Sequence, residues 1–118
     1  EWDNIKSGDN QSSMLTGVIV ARRGFLKERR DEAERFLERY EDSVEYTNQN
    51  IDEAAKLIGS YDIVEEQVAK KAIPYCNTTL IQGSEMKEKL SGYLQILYDQ
   101  NPEAVGGNLP GDDFYIKK

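Results

Sequence analysis

Histidine is absent from this 118-residue chain, and cysteine occurs once. The first absence excludes Ser-His-Asp and Cys-His catalysis, imidazole-ligated metals and imidazole pH switching. The second excludes an internal disulfide and a cysteine-based zinc site. Positive charge is also scarce: Lys plus Arg is 15 against 22 for Asp plus Glu, a net charge of −7. Neutralising phosphates needs a basic surface, so no nucleic acid is expected as a partner. Anionic lipid is disfavoured on the same ground. No apolar run approaches the roughly 20 residues that span a bilayer; the longest lies around Val18. Glu1-Trp2-Asp3-Asn4 has neither the pattern of a signal peptide nor that of a transit peptide.

What is present is enough for a folded core. Hydrophobic residues make up 38% and charged residues 31%, too many aliphatics and aromatics for a disordered chain. The length allows one domain, or one piece of a larger one. Residues 4–13 carry turn and linker chemistry. Residues 14–21, Met-Leu-Thr-Gly-Val-Ile-Val-Ala, are short, β-branched and without polar alternation. That pattern predicts a strand buried on both faces.

Helical periodicity dominates the rest. Ala33, Phe36, Leu37, Tyr40, Val44 and Thr47 form one apolar stripe and predict a helix over 25–49. Asn50 with Glu53 forms a capping-box pattern at the head of a second helix, 51–58, and Gly59 suits its end. A third helix is expected over 64–73, stopped by Pro74. Residues 77–83 read as an extended connector or a very short strand. A fourth helix follows over 84–100, with Ser84 as its cap and Met86, Leu90, Tyr93, Leu94, Leu97 and Tyr98 as its stripe. The tail, 101–118, reads as irregular apart from a short turn at Glu103-Ala104-Val105. The expected fold class is mainly α with one or two short strands.

This inventory contains a contradiction. A strand apolar on both faces belongs inside a covered sheet, and its N–H and C=O groups need neighbours on both sides. Only Thr78 to Ile81 offers a second strand. Either the chain is part of a larger domain, or copies pair through the 14–21 strand as a homo-oligomer.

The motifs that suggest chemistry have simpler readings. Asp112-Asp113, with Asp99 and Glu103, lacks the alternating acidic spacing of a calcium loop, so it reads as a solvated acidic tail and no metal is expected. Arg22-Arg23 and Arg29-Arg30 are interleaved with Glu28, Asp31 and Glu32, and read as a salt-bridged helix face rather than an anion site. Gly106-Gly107 has no phosphate-loop context. Cys76 has no catalytic partner type and reads as a buried structural thiol. Asn10-Gln11-Ser12 and Asn77-Thr78-Thr79 match the glycosylation triplet, which is common by chance. Tyr40, Tyr93 and Tyr98 read as core residues. No constellation predicts an enzyme, and no cofactor is expected.

Residues 16–26, Thr-Gly-Val-Ile-Val-Ala-Arg-Arg-Gly-Phe-Leu, resemble a segment of the substrate-binding proteins of ABC transporters. The subgroup is the one related to nitrate-, sulfonate-, taurine- and thiamine-precursor-binding proteins. Residues 46–55, 72–77, 81–87, 91–98 and 101–115 look similar to that family in the same order, and the tail, Asn-Pro-Glu-Ala-Val-Gly-Gly-Asn-Leu-Pro-Gly-Asp-Asp-Phe-Tyr, is the most specific part. Two departures concern a cap and a turn. Ile51 stands where the family usually has Pro at the first helical position. Asp62 stands where Gly is common before the Ile-Val pair.

The resemblance implies the C-terminal portion of a type II periplasmic-binding-protein-like α/β lobe. Residues 1–13 would be a hinge or linker segment, and 14–118 the C-terminal part of lobe one. The full-length parent would capture a small-molecule ligand outside the membrane and pass it to an ABC permease. Its location would be extracytoplasmic, in the periplasm or as a cell-surface lipoprotein. Most ligand contacts in the family come from segments outside this chain. Only the hinge edge remains here, so Ser13, Thr16 and Gly17 are the candidate ligand-binding residues.

Overall fold

The computed structural model describes residues 12–117. Contacts divide them into two compact units, one formed by 21–80 and the other by 12–20 with 81–117.

The 21–80 unit is built from four helices. They are α1 (Arg23–Glu28), α2 (Arg30–Gln49), α3 (Ile51–Ser60) and α4 (Glu66–Ala72), with a 3-10 turn at Ile73–Tyr75. The single helix expected over 25–49 is therefore broken. Arg29 leaves the helical region at φ −134, ψ 45, while its amide still donates to the Phe25 carbonyl at 2.8 Å. Its guanidinium forks onto both carboxylate oxygens of Glu32 and lies 5.6 Å from the centroid of the Phe25 ring. Arg29 thus closes α1 with its amide and opens α2 with its carbonyl, which accepts from Glu32 and Ala33. The apolar stripe begins only at Ala33, beyond the break, so periodicity could not reveal it.

Asn50 separates α2 from α3, but it makes no capping box. Its side-chain amide donates backwards to the Tyr46 carbonyl at 3.1 Å and serves the end of α2. Ile51 is the first residue of α3. The helix runs past Gly59 and closes in a Schellman motif. The Ile63 amide donates to the Ile58 carbonyl at 3.2 Å, and the Asp62 amide to the Gly59 carbonyl at 3.1 Å. The residue in the left-handed position is consequently Asp62, at φ +53, and not Gly59. Gly59 has another task. A Cβ built there would lie 3.2 Å from both the Cβ and the backbone N of Glu66, so its bare Cα lets the head of α4 approach α3.

The core of this unit follows from that approach. Ala54, Ala55, Ala69 and Ile73 are buried together, with Ile51 and Ile58 packed against them. Small residues at 54, 55 and 69 keep the helices close, and Ile73 supplies the largest buried side chain of the cluster. Lys70 on α4 also reaches Asp52 on α3 at 2.9 Å. α4 starts at Glu66 rather than near Val64 and ends at Ala72. Pro74 has no N–H to continue the ladder, and the backbone tightens into the 3-10 turn, which the Cys76 amide closes on the Ile73 carbonyl at 3.1 Å.

The second unit holds α5 (Gly83–Gln100), a 3-10 turn at Pro102–Val105 and another at Asp112–Phe114. α5 begins one residue before Ser84, with Gln82 at the cap position and no side-chain cap bond, so Ser84 does not cap it. The turn expected at 103–105 is present and starts at Pro102. Asn101 Oδ1 accepts from the Glu103 amide at 3.2 Å. Gly106 and Gly107 are both left-handed, at φ +78 and +82. Their amides donate to the Glu103 and Pro102 carbonyls and fold the chain back over the turn. Two successive positive φ values suit glycine and penalise any side chain. Tyr115 is buried in the tail, with the Phe114 ring edge-on at 5.3 Å.

The strands do not form. Among the described residues there is no strand and no sheet, so the α/β lobe and the mainly-α fold with short strands are both replaced by an all-α arrangement. Residues 14–21 have neither helix nor ladder, and Val18 and Val20 are 61% and 80% exposed. The physical reason is that a strand exists only with a paired neighbour. Residues 78–81 are likewise not a strand. Of the expected 1–13 linker, only Ser12 and Ser13 fall inside the described residues; Asn10 and Gln11 of the first glycosylation triplet lie outside them.

Candidate functional site

The three residues predicted at a hinge edge do not converge on a cavity. Ser13 is half-buried, and its hydroxyl accepts from Lys89 Nζ of α5 at 3.3 Å. Lys89 in turn lies 3.8 Å from Glu85 on the same helix. Thr16 and Gly17 are exposed, and a Cβ at Gly17 would meet nothing within 4 Å. The backbone freedom of glycine is thus not used for a close approach there. The neighbour that sequence reasoning passed over is Ser12, only 1% exposed. Its burial ties this end of the segment to its unit, while the apolar residues that follow are left in solvent.

Two open grooves lie in the 21–80 unit. The first, of about 470 Å³, is lined by Asn48, Ile51, Ile73, Pro74, Asn77, Thr78 and Thr79. Asn48 Nδ2 donates to the Thr78 carbonyl at 2.8 Å and pins the connector against the end of α2. Asn77 sits in the left-handed region at φ +48, which Asn tolerates better than most residues. This groove offers neutral amides and hydroxyls over an Ile-Pro floor. Its lining holds hydrogen-bonding groups but no acid, base or nucleophile suited to catalysis. The Asn77-Thr78-Thr79 triplet was the one sequence signal for it. The second groove, of about 630 Å³, lies at the Schellman turn and is lined by Lys56, Gly59, Ser60, Asp62, Val64, Glu65 and Glu66. Neither groove includes Ser13, Thr16 or Gly17.

The remaining reactive and charged groups are on the surface. Cys76 is exposed, which corrects the buried thiol expected from sequence: it follows a 3-10 turn at the edge of the unit rather than facing the Ala-Ile cluster. Tyr40 is also exposed, at 42%, and stacks at a tilt on Phe36, with centroids 5.8 Å apart, while Tyr93 and Tyr98 are half-buried. Two arginines of the basic cluster form ion pairs at the head of α2, Arg29 with Glu32 and Arg30 with Glu34. The hydrogen bond from Arg29 holds the Glu32 carboxyl below the usual range and raises the guanidinium further. In the tail, Lys87 donates to Asp112 at 2.9 Å and lowers that carboxyl too. Burial pushes the Tyr115 phenol up, against the opposing pull of Lys87. Among the described residues no group of three His, Cys, Asp or Glu side chains is placed to hold a metal ion. No described helix is long and apolar enough to cross a membrane.

The chain matches no protein-family model, no curated protein and no solved structure.

Proposed function

We propose that this chain is the C-terminal segment of a solute-binding protein of an ABC importer, a protein that captures a small molecule outside the membrane and delivers it to a permease. The observation that carries the reading is where the two departures from the family pattern fall. The family's Pro replaces Ile51, and Ile51 is the first residue of α3, the helical position that accepts Pro without loss of a hydrogen bond. The family's Gly replaces Asp62, and Asp62 is the left-handed residue of the Schellman motif, where glycine is relaxed. Both substitutions are what the local backbone would favour. A largely exposed, apolar-rich segment at 14–20 with no helix is what removal of a neighbouring sheet would leave.

The test is the product of the whole reading frame that contains this chain, titrated calorimetrically with nitrate, taurine and other alkanesulfonates, and pyrimidine thiamine precursors. Saturable binding of one class is the expected result, together with no melting shift when the 118-residue chain is tested alone. A frame without two lobes of α/β pattern upstream of Glu1 would overturn the reading. A strong specific shift from this chain alone would overturn the inference that most of the site lies elsewhere.

A second reading is a self-associating helical module in which copies pair through residues 14–20. It is favoured by the same segment being non-helical, largely exposed and free of charge from Met14 to Ala21, so that antiparallel self-pairing meets no like-charge repulsion. Light scattering decides it: a monomer across the working concentration range rules it out, and a dimer dispersed by Val18→Lys supports it.

A further inference from the structure

We draw no further inference here: the strongest candidate, the open groove between the end of α2, the head of α3 and the connector 77–79, presents only neutral amide and hydroxyl groups over an apolar floor, and nothing in the structure shows what would occupy it.

Discussion

Asp62 gives the sharpest test of how α3 ends. Its φ of +53 places a Cβ-bearing residue in the left-handed region, and the two hydrogen bonds of the Schellman motif hold it there. Left-handed backbone costs roughly 1–2 kcal/mol for a residue with a Cβ, with Asp and Asn at the low end. Asp62→Gly removes that strain but adds about 0.4–1 kcal/mol of unfolded-state entropy. The net is a modest gain, about 0.5 kcal/mol. Asp62→Val keeps the full strain and loses the polar side chain, so it should cost about 1–2 kcal/mol. The order Gly, then Asp, then Val is the diagnostic. In a domain of 60–100 residues each kcal/mol moves the melting temperature by roughly 4–8 °C, so Gly and Val should separate clearly in urea and thermal denaturation followed at 222 nm. Amide exchange at Ile63 gives a local reading, since that N–H closes the motif on Ile58. It should be protected in Asp62→Gly and faster in Asp62→Val. If Val equals or exceeds Gly in stability, position 62 is not left-handed and the account of this turn fails.

Three further outcomes are expected. Gly59→Ala should destabilise by about 1 kcal/mol, because about 1–3 kcal/mol of overpacking outweighs the up to about 1 kcal/mol gained in helix propensity; a higher urea midpoint would show that Glu66 can yield. Ile73→Ala should cost about 2–4 kcal/mol, since Ile73 fills the centre of the Ala54-Ala55-Ala69 cluster; a loss below about 1 kcal/mol, outside that range, would mean the α3–α4 contact is not the core. Stability should fall on acidification from about pH 4 downward, as Glu32 and Asp112 have lowered folded-state values and lose their ion pairs on protonation, and fall again above about pH 10, as the raised Tyr115 phenol ionises; Lys87→Met should weaken the acid transition, and an unchanged profile would mean the Lys87–Asp112 pair does not persist in solution.

Helices were legible where the stripe was long. The spacing of Leu90, Tyr93, Leu94 and Leu97 placed α5 nearly at its observed limits, and that of Phe36, Leu37, Tyr40 and Val44 gave the end of α2 at Gln49 but not its start, which lies at Arg30 beyond the separate α1. The ends of α2 at Gln49 and of α5 at Gln100 were legible too, but three junctions were not, because the residues that make them were not the usual ones. An arginine breaks α1 from α2 without Pro or Gly. An aspartate takes the left-handed position that a nearby glycine seemed to claim. Asn50, which looks like the head of α3, serves the tail of α2. The strand over 14–21 was misplaced for a different reason. Its composition is that of a strand, but pairing is a property of neighbours, and the composition of one segment cannot supply them. The candidate site suffered from the same dependence. Ser13, Thr16 and Gly17 were marked by a resemblance that set them at a hinge beside a lobe, and neither groove among the described residues is lined by any of them.

Apolar burial is uneven among the described residues, and that bears on both functional readings. The cluster at the α3–α4 contact is made mostly of alanine, whereas Met14, Val18, Ile19 and Val20 stand in solvent at 65%, 61%, 45% and 80% exposure. Fully burying a Val or Ile side chain is worth about 1.5–3 kcal/mol, so covering what remains exposed at 18–20 would release roughly 3–6 kcal/mol. That is comparable with the whole stability expected of a small domain, about 0.05–0.15 kcal/mol per residue. A gain of this size is available to any partner that also satisfies the backbone groups of the segment. A helix presents no row of free N–H and C=O groups, so it would cover the side chains and leave the backbone unpaired. A strand edge meets both needs, whether a longer protein of the kind proposed above or a second copy of the same segment were to supply it. The two readings therefore differ in the source of one neighbouring strand and agree on what that strand must supply.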